Sequence, residues 1–323
     1  MNEESVSQTL KGAEENVGLG LDSPLCRRVL AWMNERFPFA NALLFFILYL
    51  SAASVARLPD AALIGYVDVV GCIVTWSFFL LLRIFDEHKD YEIDVQNHPQ
   101  RVLQSGLITL FHLRVMGGIA IALQLAWSLY RDGGLGYAAV SWGAMMFWTC
   151  LMGKEFFCGA WLEKRLTLYA FSHMLVMPLI ILWLAKIANP QAAVDTNMII
   201  LMVLGFVGGF CFEITRKAKG AEEERATIDS YSKIFGVNGV SLIILLLTLI
   251  MLVLQIWLMQ RIAGALPIIA LLPSLLWLLC VWLVLSYRKR PTESARKKNE
   301  AIVALVMLSG YACIAGEALF IAA

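Results

Sequence analysis

Five carboxylates crowd the string Asp86-Glu87-His88-Lys89-Asp90-Tyr91-Glu92-Ile93-Asp94, four of them at spacings that suit chemistry. Asp86, Asp90 and Asp94 are four residues apart, so on a continuous helix they line one side, a turn apart. Glu87 stands three before Asp90 and borders the same stripe. Like charges so placed repel, and a helix gathers them only at a cost. A divalent cation reverses that sign, because Mg²⁺ takes carboxylate oxygens and shares its shell with substrate phosphates. The spacing predicts a Mg²⁺ site made by Asp86, Glu87, Asp90 and Asp94. The plainer alternative is a solvated acidic helix end, offset by Arg83 and Lys89. Arg101, seven residues past Asp94 and just beyond Pro99, is spaced to reach an oxygen of the same phosphate.

Two further polar stretches interrupt apolar sequence. One runs Glu213-Ile214-Thr215-Arg216-Lys217 and continues to Lys219, Glu222, Glu223, Glu224 and Arg225. Glu213, at the end of an apolar run, reads as a ligand. Glu222–Glu224 read as a solvated run paired with Lys219 and Arg225. The other stretch holds Lys154-Glu155 and Trp161-Leu162-Glu163-Lys164-Arg165, with Lys154 the better candidate for a phosphate contact.

These clusters need a membrane to position them. Of the 323 residues, 59% are apolar and 16% charged, and mean hydropathy is +0.71. Soluble domains run at about 45–50% apolar and about 25% charged, so a soluble globular chain is excluded, and so is disorder. A net charge of +1 gives no field for nucleic acid, and none is expected as a partner. The reading is an all-α integral membrane protein. Nine apolar stretches are long enough to cross a bilayer: 39–58, 62–83, 105–130, 135–152, 167–187, 196–212, 238–260, 265–287 and 300–322. Residues 1–22 read as a flexible polar tail. Residues 23–323 read as the membrane domain, opened by Ser23 as N-cap, Pro24 at the first helical position and a short interfacial helix. Twenty-one of the 26 Lys and Arg fall in the N-terminal segment and in the loops after spans 2, 4, 6 and 8, counting Arg83 at the end of span 2. That bias places the N-terminus and those loops in the cytoplasm and the C-terminus on the opposite side. Loops 84–104, 153–166 and 213–237 are the long polar ones and form the expected active-site mouth. Asp68, Arg114, His173 and Glu317 lie in or near spans, where ionisable groups are functional candidates by default. The seven cysteines show no CxxC spacing and read as packing residues.

Span count and motif together resemble the UbiA superfamily of intramembrane prenyltransferases, which includes terpene cyclases. That family's first motif, N-D-x-x-D-x-x-x-D followed by R-P-L-x-x-G, is matched by Asp86-Glu87-x-x-Asp90-x-x-x-Asp94 and by Arg101-Val102-Leu103-Gln104-Ser105-Gly106. Asp86 replaces the asparagine and Glu87 the first aspartate. The second motif departs: Glu213 stands where its first aspartate would be, but the position four later is Lys217. Lys164-Arg165-Leu166-Thr167 resembles a basic element of the same loop in the family, and Arg36 an arginine ahead of the first span.

The resemblance implies a nine-helix bundle around a central cavity and a Mg²⁺-dependent enzyme. It would ionise an allylic prenyl diphosphate and pass the prenyl group to a lipophilic acceptor. Asp90, Asp94 and Lys154 would be catalytic. Asp86, Glu87, Asp90 and Asp94, with Glu213 opposite, would hold metal. Arg36, Asn41, Arg101, Arg216 and Lys217 would bind substrate, the last two offsetting diphosphate charge in place of a second ion. The altered second motif raises an alternative, cyclisation of the prenyl chain itself. A non-catalytic membrane transporter or scaffold is the third class.

Overall fold

The computed structural model describes residues 19–58, 64–225 and 229–322. The tail expected over 1–22 therefore lies, for residues 1–18, outside the described residues. Among the described residues every regular element is helical: α1 Leu25–Arg36, α2 Ala42–Ala56, α3 Tyr66–Lys89, α4 Tyr91–Asn97, α5 Leu110–Asp132, α6 Tyr137–Gly153, α7 Gly159–Glu163, α8 Leu166–Met174, α9 Val176–Ala188, α10 Thr196–Arg216, α11 Tyr231–Ala263, α12 Leu271–Lys289 and α13 Glu293–Ala322. Eight helical stretches are long and apolar enough to cross a bilayer, with α8 and α9 counted as one. The remaining expected span, 135–152, is α6, a helix of 17 residues that is shorter than those eight. The chain is an integral, multi-pass membrane protein.

Several boundaries differ from expectation for identifiable reasons. The fifth span is two helices because Pro178 has no N–H to give the Met174 carbonyl, and the helix breaks at Leu175. The third polar loop is shorter than the expected 213–237. Glu213 sits in the last turn of α10, and helix resumes at Tyr231, where the Ser230 hydroxyl caps it by accepting from Lys233 N at 3.1 Å. A joint interrupts α11 at Gly236, whose φ of 69° and ψ of 163° suit glycine. Ser23 does not cap α1: Pro24 occupies the N-cap position, and Ser23 Oγ instead accepts from Gly20 N at 3.3 Å.

The described residues divide into two compact units. One takes those up to Phe45 together with Val74–Leu125; the other takes the rest. In the first unit, Trp32, Met33 and Phe37 bury against Leu80 and Ile84 of α3, Val102, Leu103 and Ile108 of the following turn, and Leu113 of α5. Phe45 stacks on Phe79 at 4.0 Å between ring centroids and on Phe37 at 5.7 Å. Two hydrogen bonds fix the turn that carries Arg101. Val102 N donates to Glu35 Oε2 at 2.9 Å, and Arg28 donates to the Leu107 carbonyl at 2.9 Å. Burial pushes the Glu35 carboxyl up, against the pull of the Val102 amide and neighbouring arginines.

In the second unit α10 packs on α8, α9, α11 and α13, and α13 also packs on α11 and α12. Small residues permit this. A Cβ on Gly205 would fall 2.3 Å from Ile181 Cδ1, and one on Gly208 2.9 Å from Met307 Sδ. Asp195 caps α10 by accepting from Met198 N at 2.9 Å. Asp68 is a structural group, bound by Arg57 at 2.7 and 3.1 Å, by Tyr49 at 3.2 Å and by Gly65 N at 2.9 Å. All seven cysteines are free, and Cys211, Cys280 and Cys313 are buried.

The acidic run 222–224 keeps the expected Lys219 and takes further partners that were not expected. Glu223 pairs with Arg296 of α13 at 2.7 Å, with Lys219 at 3.9 Å, and accepts from Gly220 N at 2.9 Å. Glu222 accepts from Glu293 N at 2.5 Å. Glu224 accepts from Ser230 and Ser232 at 2.6 Å each. Gly220 lies so close to α13 that a Cβ would stand 2.6 Å from Glu293 N and from the Thr292 carbonyl carbon. Burial pushes the Glu223 carboxyl up, but the Arg296 and Gly220 hydrogen bonds and nearby positive charges outweigh it and hold it below its usual 4.5. A depressed carboxyl stabilises the fold fully above its unfolded value and loses that contribution as pH falls through the folded one. Protection of the Ala221 and Glu293 amides, read as exchange corrected for its intrinsic pH dependence, is therefore expected to hold from pH 7 to about 5 and to fall below about 4.5. Mass-spectrometric exchange of the two segments checks this, and a flat profile down to pH 3 counts against the pin.

Candidate active site

In the first unit the acidic string does not continue as one helix. The chain bends at Asp90, with φ −93° and ψ 2°, between α3 and α4. Asp90 N still donates to the Asp86 carbonyl at 2.9 Å, and Asp94 N to the Asp90 carbonyl at 2.9 Å, so the expected spacing survives the bend. Burial raises the Asp90 carboxyl above its ordinary range, opposed by Lys89 and aided by the negative charges of Asp94 and Glu87.

Arginines interleave with the carboxylates. Glu87, whose side chain is fully buried, accepts through Oε1 from Arg36 Nε at 2.5 Å and from Arg83 Nη2 at 2.6 Å and Nε at 3.0 Å. Asp94 Oδ2 accepts from Arg101 Nη1 at 2.7 Å and lies 3.5 Å from Arg36 Nη2. Asp86 lies 3.9 Å from Arg83, its side chain 60% exposed. A chain of alternating charge, Arg83–Glu87–Arg36–Asp94–Arg101, thus joins α1, α3, α4 and the turn after α4. The sequence reading had Arg101 near Asp94 and Arg36 near the site. It missed Glu35, which pins the turn, and the capture of Glu87 by two guanidiniums.

The donor chemistry suits Mg²⁺: all four carboxylates offer hard oxygen, and Glu87 Oε2 is buried with no hydrogen-bond partner. Their arrangement is arginine-filled. Among the described residues no three of His, Cys, Asp and Glu stand together as a metal-holding group.

In the second unit Glu213 is closed by its own neighbours. Its Oε2 accepts from Arg216 Nη2 at 2.7 Å, and its Oε1 lies 2.8 Å from Lys217 Nζ. Lys217 Nζ also lies 5.6 Å from the centre of the Tyr169 ring. Lys154, exposed, ends α6 as its C-cap. Asn41, in the first unit, closes the short 3-10 turn Phe39–Asn41 ahead of α2. After Lys154 comes a feature no sequence signal announced. Glu155, Phe156 and Phe157 have φ of 49°, 51° and 58°, a left-handed turn made without glycine. Glu155 Oε1 accepts from Tyr169 at 3.1 Å, and Oε2 lies 3.8 Å from His173 Nε2.

The backbone course resembles two solved structures. That of a digeranylgeranylglyceryl phosphate synthase superposes with a TM-score of 0.63 at 16% identity, over 90% of this chain and 99% of that one. The apo structure of a UbiA homologue from Aeropyrum pernix K1 gives 0.57 at 13% identity, over 82% and 96%. The chain has the UbiA fold. No family model matches the sequence, and neither does any curated protein. The UbiA fold therefore emerges from the course of the helices, not from identity along the chain. Identities this low are consistent with Asp86 and Glu87 standing where the family motif has Asn and Asp.

Proposed function

We propose that this chain is a membrane prenyltransferase that ionises an allylic prenyl diphosphate. The observation that carries the reading is the alternation of arginine and carboxylate from Arg83 to Arg101 on a UbiA fold. Asp86, Asp90, Asp94 and the open Oε2 of Glu87 would hold Mg²⁺. Bound there, the ion would supply Lewis-acid stabilisation of the departing diphosphate. Arg36 and Arg101 already share Asp94 Oδ2. As the diphosphate develops charge, each guanidinium can turn a donor toward it, and the fork geometry favours two parallel bonds. Glu35 holds the Arg101 turn in place while this happens. In the second unit Lys154, Arg216 and Lys217 carry positive charge at helix ends, with Glu213 setting the positions of the latter two.

The Lys and Arg bias puts these loops, and the N-terminus, on the cytoplasmic side. The donor's chain would lie among apolar helices in the bilayer, and a lipophilic acceptor would capture the allylic carbon. One observation favours cyclisation as a second reading. Glu213 is neutralised by two bases, so the second cluster offers no open carboxylate pair for a second ion.

The test is incubation of the purified chain in lipid nanodiscs with labelled farnesyl and geranylgeranyl diphosphates, with and without Mg²⁺. Mg²⁺-dependent diphosphate release is the expected result. Hydrocarbon products without added acceptor assign the cyclase, and release that needs a lipophilic acceptor assigns the transferase. No release from either donor overturns the reading in favour of a transporter or scaffold.

A further inference from the structure

The stripe that α12 leaves exposed ends in a cluster of bases. Leu278, Trp282, Leu285 and Lys289 recur every three or four residues, so they stand one above another on a single face of the helix. Leu278 is 58%, Trp282 63% and Leu285 40% exposed, and Lys289 is exposed as well. On a membrane-spanning helix such an apolar face meets lipid. From Leu278 to Lys289 the helix rises roughly 16 Å, about half of a 30 Å hydrocarbon core. That is the depth of one leaflet's acyl chain. Trp282 lies two turns before the base, where an aromatic ring suits the interface.

The charge at the end of the stripe is unbalanced. Between Arg288 and Glu300 stand six bases, Arg288, Lys289, Arg290, Arg296, Lys297 and Lys298, against two acids, Glu293 and Glu300. Buried Arg296 is committed to Glu223 and Glu300, and Lys297 pairs with Glu293 at 3.0 Å. Arg288, Lys289, Arg290 and Lys298 are exposed and have no acidic partner among the described residues.

Arg288 is also aimed. Its Nε donates to Asn238 Oδ1 of α11 at 2.7 Å, which fixes the plane of the guanidinium and leaves both Nη groups open. That end of the fork takes two oxygens of one phosphate. The bend is fixed too. Tyr287 donates its hydroxyl to the Lys219 carbonyl at 2.7 Å, and Ala221 N donates to the Pro291 carbonyl at 2.9 Å. Bases that only set topology need no such order.

We propose that the end of α12 holds one anionic phospholipid. Its phosphate sits on the Arg288 fork, Lys289, Arg290 and Lys298 match its charge, and an acyl chain runs along Leu285, Trp282 and Leu278. The lipid is a resident of the fold, not a substrate, and the inference does not rest on the prenyl-transfer reading. A second copy of the chain suits the apolar stripe but not its end. Two copies in one bilayer share an orientation, so Lys289 would face Lys289.

The test is native mass spectrometry of the purified full chain, delipidated in detergent and titrated with phosphatidylglycerol or phosphatidylcholine of the same acyl chains. Each base near an anionic headgroup contributes a factor of about five, so phosphatidylglycerol is expected to bind about a hundredfold more tightly. Combining Lys289→Gln, Arg290→Gln and Lys298→Gln should cut that preference to about fivefold, the part left to Arg288. Lys289→Arg with Lys298→Arg keeps the charge and should keep the preference; its loss there overturns the proposal. Lys164→Gln with Arg165→Gln removes bases from another loop and should leave the preference unchanged. An equal fall in that variant overturns the site in favour of diffuse surface charge. No preference in the wild-type chain overturns it outright, and a lipid-free dimer replaces it with a contact between copies. Trp282 reports the chain. In phosphatidylcholine nanodiscs, brominated phosphatidylglycerol at low mole fraction should quench tryptophan fluorescence more than brominated phosphatidylcholine does, and Trp282→Phe should remove the difference. Equal quenching by the two lipids overturns the placement along α12.

Discussion

Asp90→Asn and Asp94→Asn are each expected to lower Mg²⁺-dependent diphosphate release by about 10²–10³-fold, the scale for losing one group that stabilises developing charge. The two variants should differ in another respect. Asp94 accepts from Arg101 at 2.7 Å and sits near Arg36 at 3.5 Å, so its neutralisation also weakens the hold on Arg101, while Arg36 keeps Glu87. Asp90 stands at the bend, and burial already raises its carboxyl. Asp90→Asn should therefore weaken Mn²⁺ binding, read by electron paramagnetic resonance, while leaving thermal stability near wild type. Asp94→Asn should weaken Mn²⁺ binding and also loosen the Arg101 turn, seen as faster amide exchange at Ser105, whose N–H bonds the Arg101 carbonyl. Wild-type release from both variants would remove the acidic string from the chemistry.

Glu87→Ala is expected to destabilise the chain by about 3 kcal/mol without any metal present. That is the low end for breaking a buried ion pair, because the guanidiniums left behind keep 18% and 25% exposure. Glu87→Gln should lose less, since an amide oxygen still accepts from Arg36 and Arg83. The check is thermal unfolding in nanodiscs with chelator added. A metal ligand with no structural part would leave metal-free stability unchanged in both variants, and that result would contradict the clamp.

The helical membrane architecture was readable from apolar run lengths, because a bilayer forces backbone groups to bond within their own segment. The first motif was readable because its contacts are local. Asp94 and Arg101 are seven residues apart. What escaped reading is long-range or backbone-encoded. Arg36 meets Glu87 across 51 positions, and Arg296 meets Glu223 across 73. No local period announces either. The left-handed turn at Glu155 escaped for the opposite reason: its residue types argue against its conformation. The bend at Asp90 sits inside a string whose spacing reads as unbroken helix.

Gly236 and Gly220 look alike on paper and are constrained by different things. Around Gly236 a Cβ would meet nothing within 4 Å, while its φ is +69°. Handedness alone closes that position, so a D-alanine introduced by chemical ligation should be accepted there. Gly220 has an ordinary φ of −73° and no room, so L-alanine should not be accepted there without moving the start of α13.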